Sequence, residues 1–161
     1  MAKALDVEGL RCEDPFGSVA GRVVRVRADE LLDRSRGVLD IEDIERLHDM
    51  RVASRRLRAA MEVFESCFPR KRFRATLDEV KTIADALGER RDRDVSIAAL
   101  IGFGEALSVP DRRGIALLID RLREEQSLAN DRLAPVVERR RLAALRDLIE
   151  DLVSAAERRA P

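Results

Sequence analysis

The chain is 161 residues long, 45% hydrophobic and 39% charged, with 3% aromatic residues and neither Trp nor Tyr. That length suits one domain with a sizeable core, and the profile fits a charged-surface helical protein and argues against a β-sandwich. Its 31 basic residues are matched by 31 acids, so whole-molecule attraction to nucleic acid is not expected.

Residues 1–14 read as a flexible arm. The opening MAKALDVEGLRCEDP has no apolar stretch of the kind a signal peptide needs, and no later run is long enough to span a membrane. Asp14-Pro15 reads as an N-cap followed by proline at the first helical position. Phe16, Val19, Val23 and Val26 then follow helical spacing to around Arg36, where Gly37 stops the helix. Asp40, with Asp43 three residues on, opens a second helix from Ile41 to around Phe68, and Pro69 follows it. A third helix is expected over Lys71–Leu87 on the apolar set Phe73, Leu77, Val80, Ile83, Ala84 and Leu87. Gly88 interrupts it, as a kink or an end, and Asp92 reads as the cap of the segment that carries Val95 and Ile97. Gly102, Gly104 and Pro110 mark a turn. A fourth helix follows from Asp111 to Leu133, with Ile115, Leu118, Ile119, Leu122 and Leu128 as its apolar set. Pro135 bends or ends it, and a last helix runs from Val136 to Glu157. No stretch shows the alternation of a strand bounded by turns. The expected fold is all-α, an antiparallel bundle of about four to six helices filling 15–157.

The second helix is the most informative stretch. With about 100° per residue and His48 at zero, Arg55 falls near 340°, Arg51 near 300° and Arg58 near 280°. Met50, Leu57, Met61, Phe64 and Phe68 cluster on the other side, near 160–220° on the same pitch. The helix thus carries a core face and a cationic face, with no carboxylate on the latter until Glu62. Residues 51–74 hold eight basic side chains against two acids, so the local field can attract an anion although the net charge cannot. Guanidinium forks at one-turn spacing suit a repeating anion with oxygens in a row, such as a chain of phosphates. A stripe of this kind can also be no more than a solvated basic face. In Arg90-Arg91-Asp92-Arg93-Asp94, interleaved acids can hold arginines in place, with Arg91 aimed at the basic face or its ligand.

Other chemistries find little support. Glu45-x-x-His48 fits one arm of a di-iron site, but such a site needs a second copy and two more carboxylates, and His48 is the one histidine in the chain. His48-Asp49 echoes the dipeptide of HD-type phosphohydrolases without their further histidines. No Walker A loop or GxGxxG motif is present, and His48 has no visible partner for a Ser-His-Asp site. Without aromatic platforms beside the stripe, single-stranded nucleic acid is disfavoured. Cys12 and Cys67 sit in no CxxC spacing and read as reduced thiols of a cytosolic protein. No metal or cofactor is expected.

His48-x-x-Arg51-Val52-x-x-Arg55-Arg56-Leu57-Arg58, then a helix, then Leu87-Gly88-x-x-Arg91-Asp92-x-Asp94-Val95, resembles the CHAD family, whose name stands for conserved histidine α-helical domain. The resemblance covers about residues 15–155 and rests on two motifs in the family's order and distance. It implies a helical domain that binds inorganic polyphosphate in a basic groove and associates with polyphosphate granules. It carries ligand binding to His48, Arg51, Arg55 and Arg58. Arg56 lies within the same motif, Lys81 sits where the family often has a basic residue, and Arg91 joins them. The family's usual domain has two helical halves related by a pseudo-twofold, and no second basic motif follows Asp94. The chain therefore resembles the N-terminal half alone, either paired as a homodimer or a fragment. A half of this kind is expected to leave an apolar face uncovered on the fourth or fifth helix. The resulting expectation is a cytoplasmic, non-enzymatic polyphosphate-binding module. A metal-dependent phosphohydrolase of polyphosphate or nucleotides, and an adaptor bundle that binds an acidic protein, are the alternatives.

Overall fold

In the computed structural model, which describes residues 3–158, Pro15 sets the entry of the first helix, α1 (Phe16–Asp33). Four more follow: α2 (Ile44–Val63), α3 (Arg70–Glu105), α4 (Val109–Leu133) and α5 (Arg139–Glu157), with a short 3-10 turn at Glu65–Cys67 between α2 and α3. No strand occurs among the described residues, and the protein is an all-α bundle. Of the arm expected over 1–14, Met1 and Ala2 lie outside the described residues. The remainder is irregular and lies along α1, where Arg22 donates to Gly9 O at 2.5 Å and Arg27 to Leu5 O at 2.5 Å.

Helices α1, α2, α3 and α5 form a ring in which each packs on the next, while α4 packs chiefly on α3. The ring encloses a core of aliphatic side chains that includes Val24, Leu31, Leu47, Met50, Leu57, Met61, Val80, Ile83, Leu145, Ile149 and Leu152. On α1 the buried stripe is Ala20, Val24, Ala28 and Leu31. The expected stripe of Phe16, Val19, Val23 and Val26 lies to its side, with Phe16 60% exposed and tilted on Phe64. Small residues take the inner positions because α1 is gripped from two sides, by α2 and α5. At Gly21 a Cβ would stand 2.8 Å from Val153 Cγ1, so α5 can approach α1 this closely only at a glycine. Gly37, at φ +72°, makes the left-handed turn beyond α1 that a side chain would strain.

Several expected boundaries are corrected. Helix α2 begins at Ile44 and ends at Val63, shorter at both ends than the expected Ile41–Phe68. Asp40 does not cap it; its carboxylate accepts the backbone N–H of Glu42 at 3.0 Å in a turn. Phe68 is buried beyond the helix and stacks on Phe73, with ring centroids 6.2 Å apart. The largest correction is at Gly88. Helix α3 runs unbroken through it for 36 residues, about 54 Å at 1.5 Å per residue. One glycine weakens a helix by only about 0.5–1 kcal/mol, which packing against α2, α4 and α5 readily overrides. Asp92 is therefore mid-helix and exposed, and not a cap. Gly102 and Gly104 also belong to α3, and the turn to α4 is left to residues 106–108. Val136 and Val137, expected at the start of the last helix, are buried in the turn before α5.

Beyond Leu87 on α3, and before Leu133 on α4, no described hydrophobic side chain belongs to the main core. These two stretches form a helical hairpin arm that stands out from the ring. Ile97 is buried within it, and Ile115, Ile119 and Leu122 are partly so. Leu118 and Leu128, expected in the core, are 46% and 55% exposed.

Candidate anion-binding groove

Helices α2 and α3 run antiparallel and leave a groove between them. At one end His48, Arg51, Val52 and Arg55 of α2 face Arg91, Asp92, Val95 and Ser96 of α3 across a cleft of about 490 Å³. At the other, Arg51, Arg55, Arg58, Ala59 and Glu62 face Ala84 and Asp85 across a second cleft of about 320 Å³. Arg51 and Arg55 line both, so the two clefts are one continuous groove. From His48 to Glu62 it extends about 21 Å along α2.

The groove exists because each helix buries its opposite side. On α2, Leu47, Met50, Leu57 and Met61 face the core and turn the stripe of His48, Arg51, Arg55 and Arg58 outward. On α3, Leu87, Arg90, Asp94 and Ile97 are buried on the side away from Asp85 and Asp92.

The arginines of the groove differ in how they are held. Arg91 donates to Ile44 O at 3.5 Å, which brings its guanidinium against the first turn of α2. Arg58 is bound by Glu62, one turn on, with Nε 3.0 Å from Oε1. Arg51 and Arg55 have no carboxylate within 4 Å among the described residues, and His48 makes no side-chain hydrogen bond there. Thirteen other arginines of the described chain do form ion pairs, from Arg22 near the N-terminal end to Arg146 on α5. Arg70, Arg74, Arg139 and Arg140 likewise form no ion pair among the described residues, so what sets Arg51 and Arg55 apart is that they stand side by side, unpaired, along one groove walled by two helices. Asp49, beside His48 in sequence, is turned away and pairs with Arg34 at 3.0 Å.

Five of the seven residues expected in the site thus line the groove: His48, Arg51, Arg55, Arg58 and Arg91. Arg56 and Lys81 line neither cleft. Arg56 is half-buried, rotated off the stripe by one residue. Lys81 falls on the groove side of α3, one turn before Asp85, by helical periodicity. Sequence reasoning missed Asp85 and gave Asp92 a capping role. Continuing the 3.6-residue period of α3 through Gly88 places Lys81, Asp85, Gly88, Asp92 and Val95 in one row.

Behind the groove lies a buried polar cluster. Arg90 has no exposure; its Nε donates to Asp94 Oδ1 at 2.9 Å and its Nη1 to Asn130 Oδ1. Gln126 donates to the same Asp94 oxygen at 2.6 Å, and Asn130 donates to Leu39 O at 3.1 Å. Four side chains therefore tie α3 to α4 and to the α1–α2 connection, and fix which side of α3 faces α2. No group of three or more His, Cys, Asp or Glu side chains among the described residues is placed to hold a metal ion. No described helix is long and apolar enough to cross a membrane.

The family model for the CHAD domain matches residues 22–161, most of the chain. The chain belongs to the CHAD-domain family. No curated protein matches it. Both motifs of this CHAD domain meet at one place: the basic helix supplies the α2 wall of the groove, and Arg91 and Asp92 of the second motif supply the α3 wall facing His48 and Arg51.

Proposed function

We propose that this CHAD domain binds inorganic polyphosphate along the α2–α3 groove, as a binding module and not an enzyme. The observation that carries this reading is the pair Arg51 and Arg55, which line both clefts without an internal counter-ion among the described residues. Guanidiniums at one-turn spacing present parallel N–H donors to successive phosphate oxygens, and such charge-assisted bonds are about twice as strong as neutral ones. His48 and Arg91 complete the donor set at the wider end. Family membership supports polyphosphate over other anions, and implies a cytoplasmic protein found at polyphosphate granules.

The same reading includes a homodimer. On the hairpin arm Ile101, Phe103, Val109, Leu117 and Leu128 are exposed, apolar surface that a twofold partner would cover in part. Two grooves in one assembly would bind long chains by avidity.

The test is binding of long-chain polyphosphate to the purified protein across a salt series. Affinity should fall steeply with salt, because association releases counterions from a linear polyanion. Duplex DNA should bind more weakly, and no orthophosphate should be released from polyphosphate with magnesium or manganese. Equal affinity for both polymers removes the reading, as does salt-independent binding. Phosphate release that is lost in His48→Ala replaces it with a hydrolase. Light scattering that shows a monomer at micromolar concentration removes the dimer.

A further inference from the structure

The groove carries more charge at one end than the other, and two carboxylates make it so. Its wider end sets Arg51, Arg55 and Arg91 against a single acid, Asp92. The charged side chains that only the narrower end contributes are one arginine, Arg58, and two acids, Glu62 and Asp85. Glu62 already occupies the guanidinium of Arg58 at 3.0 Å. Asp85 stands on the opposite wall with no ion-pair partner among the described residues. An anion that enters from the His48 end therefore meets free donors as far as Arg55. Beyond that point it must displace Glu62 and approach Asp85.

We propose that Glu62 is an internal competitor for Arg58 and that Asp85 reinforces it, so that these two carboxylates set the affinity and the footprint of a bound polyanion. The inference rests on the polyphosphate reading and deepens it. In the native protein the bound segment is anchored between His48, Arg51, Arg55 and Arg91, and Arg58 remains engaged with Glu62. Loss of the Glu62 charge frees Arg58 to neutralise one further phosphate. Loss of the Asp85 charge removes a like charge from the path of the chain. Both acids are solvent-exposed, so replacing either should cost little stability.

The experiment measures polyphosphate affinity and its salt dependence for the native protein, Glu62→Gln, Asp85→Asn and the double variant. A control, Asp147→Asn with Asp151→Asn, changes net charge by the same amount as the double variant but on the exposed side of α5, away from both the groove and the hairpin arm. Each groove substitution should tighten binding by about fivefold, the effect of one unit charge at about 4 Å in water. Glu62→Gln should also steepen the plot of log affinity against log salt by about 0.7, one added phosphate contact on a single-stranded polyanion. The control should leave both quantities near native. If the native protein binds and the groove variants match it in affinity and slope, this inference fails while the polyphosphate reading stands. If the control tightens binding as much as the groove pair, net charge is the cause and the inference likewise fails. If neither native protein nor variants bind, both readings fall together. Thermal melts of the variants that coincide with native tie the changes to the groove.

Discussion

Arg90 Nε lies 2.9 Å from Asp94 Oδ1, and neither side chain reaches solvent. The pair sits on the side of α3 away from the groove, and each member has one further partner on α4, Asn130 or Gln126. Arg90 Nη2 and Asp94 Oδ2 have no partner among the described protein groups. A buried ion pair contributes little net stability but is costly to break, because the surviving partner keeps an uncompensated charge.

Asp94→Leu or Arg90→Met alone should therefore cost about 3–5 kcal/mol. Arg90→Met with Asp94→Leu should cost clearly less than the sum of the two. Urea unfolding of the three variants checks this, and additive losses would show that the two side chains act independently.

On α2, stability and binding should separate by face. Arg51→Glu with Arg55→Glu should abolish polyphosphate binding, while surface changes of this kind shift stability by roughly 0.5 kcal/mol each. Leu57→Ala, at a fully buried position, should cost about 2–5 kcal/mol. Circular dichroism melts read beside binding curves distinguish the two effects. A double charge reversal that unfolds the protein would make those arginines structural.

Gly88 is a site for stabilisation. It lies inside α3, and a Cβ built there meets no atom within 4 Å. Gly88→Ala should stabilise by about 0.5–1 kcal/mol through helix propensity and reduced freedom of the unfolded chain. Gly21→Ala should do the reverse, since its Cβ would strike Val153. Melting temperatures that move in the same direction for both would contradict the close packing of α1 on α5.

Acid should loosen the contact between α3 and α4. The hydrogen bond from Arg132 holds the Glu89 carboxyl below its ordinary value. Because the folded pKa is the lower one, this stabilisation is complete above about pH 4.3, the ordinary glutamate value. It is lost as the pH falls through the folded value. Glu89→Gln should flatten the acid limb of melting temperature against pH and leave the neutral region little changed. The effect is small because both side chains are well exposed, at 38% for Glu89 and 55% for Arg132. An acid limb identical to native would show that the pair adds nothing.

The sequence was most legible where one helix face is aliphatic and the other is cationic. On α2, Met50, Leu57 and Met61 define the buried side so firmly that the positions of His48, Arg51, Arg55 and Arg58 follow from pitch alone. It was least legible at Arg90-Arg91-Asp92-Arg93-Asp94. Arg90 and Asp94 occupy core positions there because Gln126 and Asn130, more than thirty residues later, supply their partners. Local periodicity cannot see partners that distant, so a buried pair reads as a surface run. The same blindness made Gly88 look like an end. Packing on both sides of α3, and not propensity at one residue, carries the helix through. On α1 the stripe was misplaced because contact with two neighbours selects small side chains, Ala20, Gly21 and Ala28, over the larger valines beside them.

The packing of α1 on α5 also fixes an order of events in synthesis. A chain made from its N-terminus exposes Ala20, Val24 and Leu31 early. Leu145, Ile149, Leu152 and Val153, which complete the enclosure, come more than a hundred residues later. The ring cannot close until the last helix has left the ribosome, and until then its apolar seam is open to other nascent chains. The first helix to be made is thus among the last to be fully buried.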